Sequence, residues 1–304
     1  MPQAAADRSN QPDTPAPPRA TADERTAHET LALDLASTPT AAGREHRVIQ
    51  RIRDWARPLA GVRINADDAG NLIVERENAA PPSERAPLFI TAHMDHPAFT
   101  LEERSQAGDL LLSFRGGVLD PYFTNAQLVM FTDDHAPVRA RIISTQGPDN
   151  DPAYPAHAKF LRTCIARIDP EDAHHADNLS PGDIGRWDLP NAAIEPDRRN
   201  PNARLIHADA CDDLAPLAAA LAAFQTLLPH PEAAHVRLLF TRAEEVGFVG
   251  AIAACKLSTM PPGSRALLLE ASRAFPESPV GGGPIVRVGD RANTFSPELT
   301  AAIT

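Results

Sequence analysis

The sequence predicts an α/β protein, a three-layer catalytic domain built on a mixed, largely parallel sheet and interrupted by a small all-β insertion. Three observations carry this expectation. Helical and strand patterns alternate near both ends of the chain. Two late segments, VRLLFT (Val236–Thr241) and ALLLEA (Ala266–Ala271), are continuous apolar runs of the length expected for strands buried on both faces. The middle of the chain holds short alternating segments with no convincing amphipathic helix between them. At 304 residues, with 43% hydrophobic and 23% charged residues, the chain has the length and balance to bury a large core.

The elements follow in order. Residues 1–21 are rich in Pro, Ala and polar residues, lack the apolar core of a secretory signal, and are expected to form a disordered tail. The first part of the catalytic domain is assigned to residues 22–104. It opens with a helix over Ala22–Ala36 that puts Leu31 and Leu35 on one face, and TPTAAG then breaks the chain. A second helix carries Val48, Ile52, Trp55 and Leu59 at spacings of four, three and four, with Pro58 at its end. The turn formers DDAGN separate strands at Val62–Ile64 and Leu72–Val74, and Leu88–Ala92 reads as a third strand. Residues 105–200 form the insertion, whose strands are read from DLLLSF, QLVMFT, VRARII and CIARID. The catalytic domain resumes over 201–304. It holds an Ala/Leu-rich helix with Pro216 in its first turn, the strand VRLLFT, the short helix FVGAIAACK and the strand ALLLEA. Near the end, Ser296, Pro297 and Glu298 carry the signals of a helix start.

Composition excludes some partners. A net charge of −11 and a pI near 5.4 argue against nucleic acid, which attracts a basic face. No stretch approaches the ~18–20 apolar residues of a membrane-spanning helix. Cys164, Cys211 and Cys255 lie far apart with no CxxC, which fits a reducing cytoplasm and argues against a thiolate metal site.

The chemistry concentrates at element ends. In LFITAHMDHPAFT, His93 and Asp95 stand directly behind a strand. Asp212 and Asp213 open the Ala/Leu helix, Glu244 and Glu245 follow VRLLFT, and Glu270 closes ALLLEA. In a parallel sheet such ends converge on one edge, where ligands sit. One imidazole gathered with four or more carboxylates needs a cation to neutralise it, and such ligands suit Zn²⁺, Mn²⁺ or Co²⁺. Each motif also has a plain structural reading. His93 and Asp95 can cap the sheet, either aspartate can cap the helix, the Glu pair can be solvated at a helix start, and Glu270 can be a partnered carboxylate. His96 is expected to shape its loop, and His174 and His175 to lie at the surface. The ordered occurrence of all the motifs favours the metal.

AHMD, DACDDLAPLAAAL and TRAEEVGFVGA, taken together, resemble the dinuclear metallo-aminopeptidases of the M42 type, within the wider M20/M28/M42 clan. LASTPTAAGREHRVIQRI, DDAGNLIV, RGGVLDPYFTNAQLVMF and LSPGDIGRWD extend the resemblance from about residue 25 onward. It implies two divalent metal ions, most simply Zn, with Co or Mn as substitutes. His93, Asp212 and Glu270 would hold one, Asp212 would bridge, and Glu245 would hold the other. Asp95 would orient the His93 imidazole and Glu244 would act as general base. Two departures stand out. The family's late metal-binding histidine has no counterpart after Glu270, and Leu214 follows the DD pair where a basic residue is usual. The chain is therefore expected to be C-terminally incomplete and to hold the Glu245 metal weakly. The implied function is aminopeptidase action on peptide substrates in the cytoplasm, by a homo-oligomer assembled through the inserted domain. The alternatives are an M20-type carboxypeptidase or N-acyl amino acid deacylase, and a non-catalytic relative that binds metal or peptide.

Overall fold

The computed structural model describes residues 19–132, 136–146, 161–201, 203–290 and 293–303. Most of the expected tail, residues 1–18, lies outside them. Helix α1 (Ala22–Ala36) opens on a capping box, in which Thr21 and Glu24 each accept the other's backbone N–H. Its Leu35 and Ala36 are buried. Helix α2 (His46–Ala56) buries Val48, Ile52 and Ala56 at intervals of four. It stops before Leu59 because Pro58 has no N–H with which to extend the ladder. Strands β1 (Val62–Ala66) and β2 (Leu72–Arg76) form a hairpin. The Asp67 carboxylate accepts the N–H groups of Ala69 and Asn71 in its turn, and Gly70 supplies the positive φ. Strand β3 is Leu88–His93.

A closed antiparallel barrel follows. Its strands are β4 (Ala98–Arg104), β5 (Leu110–Arg115), β6 (Gln127–Phe131), β7 (Val138–Gln146), β8 (Leu161–Ile168) and β9 (Ile184–Trp187), in the order β4-β5-β8-β7-β6-β9. Alternation along β5 and β6 turns Leu110, Leu112, Phe114, Leu128 and Met130 inward. Phe99, Phe114, Phe123 and Trp187 meet edge to face inside, with the Phe114 and Phe123 centroids 4.9 Å apart. A hairpin of β10 (Ala193–Pro196) and β11 (Arg204–His207) leads out.

Helix α3 (Cys211–Leu227) is regular only after Asp213, so Pro216 falls in the first regular turn, where proline is tolerated. Then come β12 (Val236–Thr241), α4 (Val249–Leu257), β13 (Arg265–Leu268) and α5 (Pro297–Ile303). Ser296 caps α5 as expected, its Oγ accepting the Leu299 N–H at 3.4 Å.

The central sheet runs β1-β2-β12-β3-β13. Helices α1, α2 and α3 cover one face through Leu35, Ile52, Leu217, Leu221 and Phe224. Helix α4 and Met260 cover the other, through Ala254 against Phe89 and Leu239. Full burial of each such Leu or Phe stabilises by roughly 1.5–3 kcal/mol. Two expectations need correction. The sheet is mixed, but its pairings divide evenly: β12–β3 and β3–β13 are parallel, β1–β2 and β2–β12 antiparallel. The β1–β2 hairpin supplies both antiparallel pairings. ALLLEA is also not buried on both faces. Strand β13 lies at the sheet edge and ends at Leu268, which is 66% exposed, so Glu270 stands beyond the strand. Among the described residues no helix is long and apolar enough to cross a membrane.

Candidate metal centre

Parallel pairing brings the sequence-predicted residues together. Thr241 of β12 pairs in register with His93, the last residue of β3, so the chain beyond β12 turns beside the imidazole. Glu270 reaches the same place from beyond β13, and the non-helical start of α3 brings Asp212 and Asp213 to it. The resulting clusters are His93, Asp212, Asp213 and Glu270, and His93, Glu244 and Glu245, with the potential ligand atoms of each cluster within 4.8 Å of one another. Asp213 is an addition to the expected ligand set, in which only Asp212 of the DD pair was named. The N-cap is Ala210, and no side chain caps α3.

The His93 ring is buried and its tautomer is set by its neighbours. Nδ1 donates to the backbone carbonyl of Asp95 at 3.0 Å, an atom that can only accept. Nε2 then faces Asp212 Oδ1 at 3.2 Å, Glu244 Oε2 at 3.9 Å and Glu270 Oε1 at 4.0 Å. A lone pair on Nε2 would meet three carboxylates, so either a proton or a cation belongs between them. Asp213 Oδ2 accepts the His93 N–H at 3.1 Å, while its buried Oδ1 has no hydrogen-bond partner. That orphaned oxygen, with imidazole and carboxylates around it, fits a divalent cation. His96, expected to shape its own loop, reaches across to the site: its Nδ1 donates to the Asp212 carbonyl, next to a cis Asp212–Asp213 peptide.

Asp95 holds both the ring and the Glu pair. Its carboxylate lies 3.5 Å from His93 Nδ1 and instead accepts the N–H groups of Glu244 at 2.9 Å and Glu245 at 3.1 Å. It orients the ring through its backbone carbonyl and the Glu pair through its side chain. Glu244 and Glu245 occupy a turn before α4, not the helix start, and Ala243 there has φ +50°, a left-handed conformation that costs a non-Gly residue roughly 1–2 kcal/mol.

Crowding shapes the electrostatics. Burial pushes Glu245 up to about 9, with the Asp212 charge adding to it. Burial likewise lifts Asp213 to about 8 and Glu270 to about 7, and raises Glu244. Burial opposes a charge on His93, but hydrogen bonding with Asp212 and Asp95 and the charge of Asp213 outweigh it and carry the ring up to about 12. Without a cation, the cluster neutralises itself with protons. A hollow of about 230 Å³ opens beside it on the α4 face, lined by Phe248, Ala251, Cys255, Met260 and Leu268 among others.

The fold gathers carboxylates and an imidazole at its strand ends, a donor set suited to a divalent cation. Residues 70–304 match the M42 glutamyl aminopeptidase family, and the chain belongs to that family, a class of hydrolases acting on peptide bonds. Among curated proteins none matches the chain. Solved structures share the fold. A Pyrococcus horikoshii TET1 peptidase that can assemble into a tetrahedron or a large octahedral shell aligns at a TM-score of 0.65 and 18% identity, over 91% of this chain and 79% of that one. An aminopeptidase from the archaeon Desulfurococcus kamchatkensis aligns at 0.57 and 23% identity, over 82% of this chain and 64% of that one. A Thermotoga maritima protein described as an endoglucanase aligns at 0.54 and 19%, over 90% of this chain and 78% of that one.

Proposed function

We propose that the chain is a metal-dependent aminopeptidase. The observation that carries this reading is the facing of His93 Nε2 by Asp212, Glu244 and Glu270 at the strand ends, beside an apolar hollow. His93, Asp212 and Glu270 would hold one cation, and Asp212 with Glu245 a second, with Zn²⁺ the best match to the donors and Co²⁺ or Mn²⁺ as substitutes. When bound, such cations supply Lewis acidity and an acidified water. Glu244, set 3.9 Å from His93 Nε2, takes the proton of the attacking water and returns it to the leaving amine. The surrounding carboxylates favour a substrate's free ammonium group at the same edge. No Lys or Arg lines the hollow among the described residues, and Glu244 and Glu270 stand within it. An apolar N-terminal side chain suits it better than an acidic one.

Copies of the chain are proposed to associate, which the shell-forming structural neighbour supports, and the β4–β9 barrel is the inserted unit proposed to mediate it. Three unpaired cysteines support work in a reducing cytoplasm. The test is hydrolysis of free and N-acetylated aminoacyl anilides, with bound metal measured on the same preparation. Preference for the acetylated compounds would favour the deacylase alternative, and metal binding without turnover a non-catalytic relative.

A further inference from the structure

Four successive backbone N–H groups at the end of β12 each donate to a side-chain oxygen from another element. Arg242 donates to Asn71 Oδ1 at 3.1 Å, Ala243 to Glu45 Oε1 at 3.0 Å, Glu244 to Asp95 Oδ1 at 2.9 Å and Glu245 to Asp95 Oδ2 at 3.1 Å. Asn71, Glu45 and Asp95 are fully buried. They come from the starts of β2 and α2 and from the chain just after β3. We propose that Glu45 and Asn71 are positioning residues for the Glu244–Glu245 turn, an inference that rests on the aminopeptidase reading.

Both side chains are themselves held in place. Glu45 Oε1 also accepts the Gly43 N–H at 2.8 Å, and Oε2 receives Arg242 Nε at 2.8 Å and Nη2 at 2.7 Å, so its buried charge is compensated. Asn71 Nδ2 donates to Asp67 Oδ2 at 2.8 Å and to the Gly250 carbonyl at 3.0 Å. The Gly250 N–H in turn donates to the Arg242 carbonyl at 2.8 Å. A Cβ on Gly250 would lie 2.4 Å from the Arg242 nitrogen and oxygen, so α4 seats directly on the turn. Ala243 keeps its left-handed φ because its neighbours on every side are fixed. The carboxylates of Glu244 and Glu245 therefore leave a backbone that cannot slide relative to His93. Asp95 completes the cradle by tying the turn to the ring through its two kinds of oxygen.

A structural role alone would leave turnover per folded molecule intact, whereas a positioning role does not, because a displacement near 1 Å can cost about 10²-fold in rate. The test compares Glu45→Ala, Glu45→Gln and Asn71→Ala with the wild-type chain by amide hydrogen exchange, bound metal, and kcat and KM on an aminoacyl anilide. In the wild type, the amides of residues 242–245 should exchange as slowly as those of β12. Glu45→Ala should speed exchange at Ala243–Glu245 and lower kcat by roughly 10–100-fold, with KM nearly unchanged and any loss of metal confined to the cation proposed at Glu245. Glu45→Gln keeps an oxygen for Ala243 and Gly43 and should restore most of both. If Glu45→Ala does not fold, Asn71→Ala carries the same expectation. Wild-type turn amides that exchange like an open loop, or a folded Glu45→Ala with full kcat, would overturn the proposal. A wild-type chain without peptidase activity would tell against the functional reading, while the exchange data would still decide the cradle.

Discussion

Either a proton or the proposed cation can sit between His93 and the three carboxylates that face it, and that competition is measurable. In the metal-free protein the ring keeps its proton to about 12 and Glu245 keeps one to about 9. At pH 7 both are protonated, so cation binding must expel protons and its affinity must rise with pH. Calorimetry in two buffers of different ionisation enthalpy should show net proton release; proton-neutral binding would contradict the cluster. His93→Ala should abolish binding at this site. Asp95→Asn should act differently, because an amide nitrogen would face the N–H of Glu244 or Glu245; activity should fall by about 10–100-fold while much of the metal is retained. Glu244→Gln should keep the metal and lose roughly 10²–10⁴-fold in rate, and metal loss there, with retention in Glu245→Gln, would reverse the two roles. The residues at strand ends were legible because each motif sits beside a recognisable apolar run. Glu45 and Asn71 were not, since nothing local links them to a turn that starts at Arg242, far along the chain.

At the scale of elements, the sequence read helices and strands well where periodicity met a cap or a turn, as at Thr21, Asp67–Asn71 and Ser296. It misjudged β13, because an apolar run such as ALLLEA looks the same whether a strand is central or has a neighbour on one side only. The even split of parallel and antiparallel pairs was likewise hidden, since pairing order is set by contacts between distant segments. The tight seat of α4 gives a prediction here: Gly250→Ala should displace Arg242 and lower activity while the barrel stays intact. The barrel should behave as a separate packing unit. Phe114→Ala, which empties part of the aromatic cluster, should cost about 3–5 kcal/mol in denaturant unfolding yet leave metal per folded chain unchanged.

For the whole molecule, family membership and fold agree, but a fold does not by itself fix the chemistry it hosts. The function of this chain therefore rests on its site. Its association state, proposed to be set through the barrel, is open to sedimentation at several protein concentrations, where a monomer throughout would remove that proposal. The proposed aminopeptidase activity requires cations held by His93 and its carboxylates. The most direct measurement is hydrolysis of leucyl anilide by purified protein before chelation, after it, and after Zn²⁺, Co²⁺ or Mn²⁺ is returned. The free-amine substrate should be cleaved, chelation should abolish that cleavage and added cation restore it, and the N-acetylated substrate should stay intact. Cleavage that survives complete metal removal, or that proceeds equally well on the blocked substrate, would contradict the proposal.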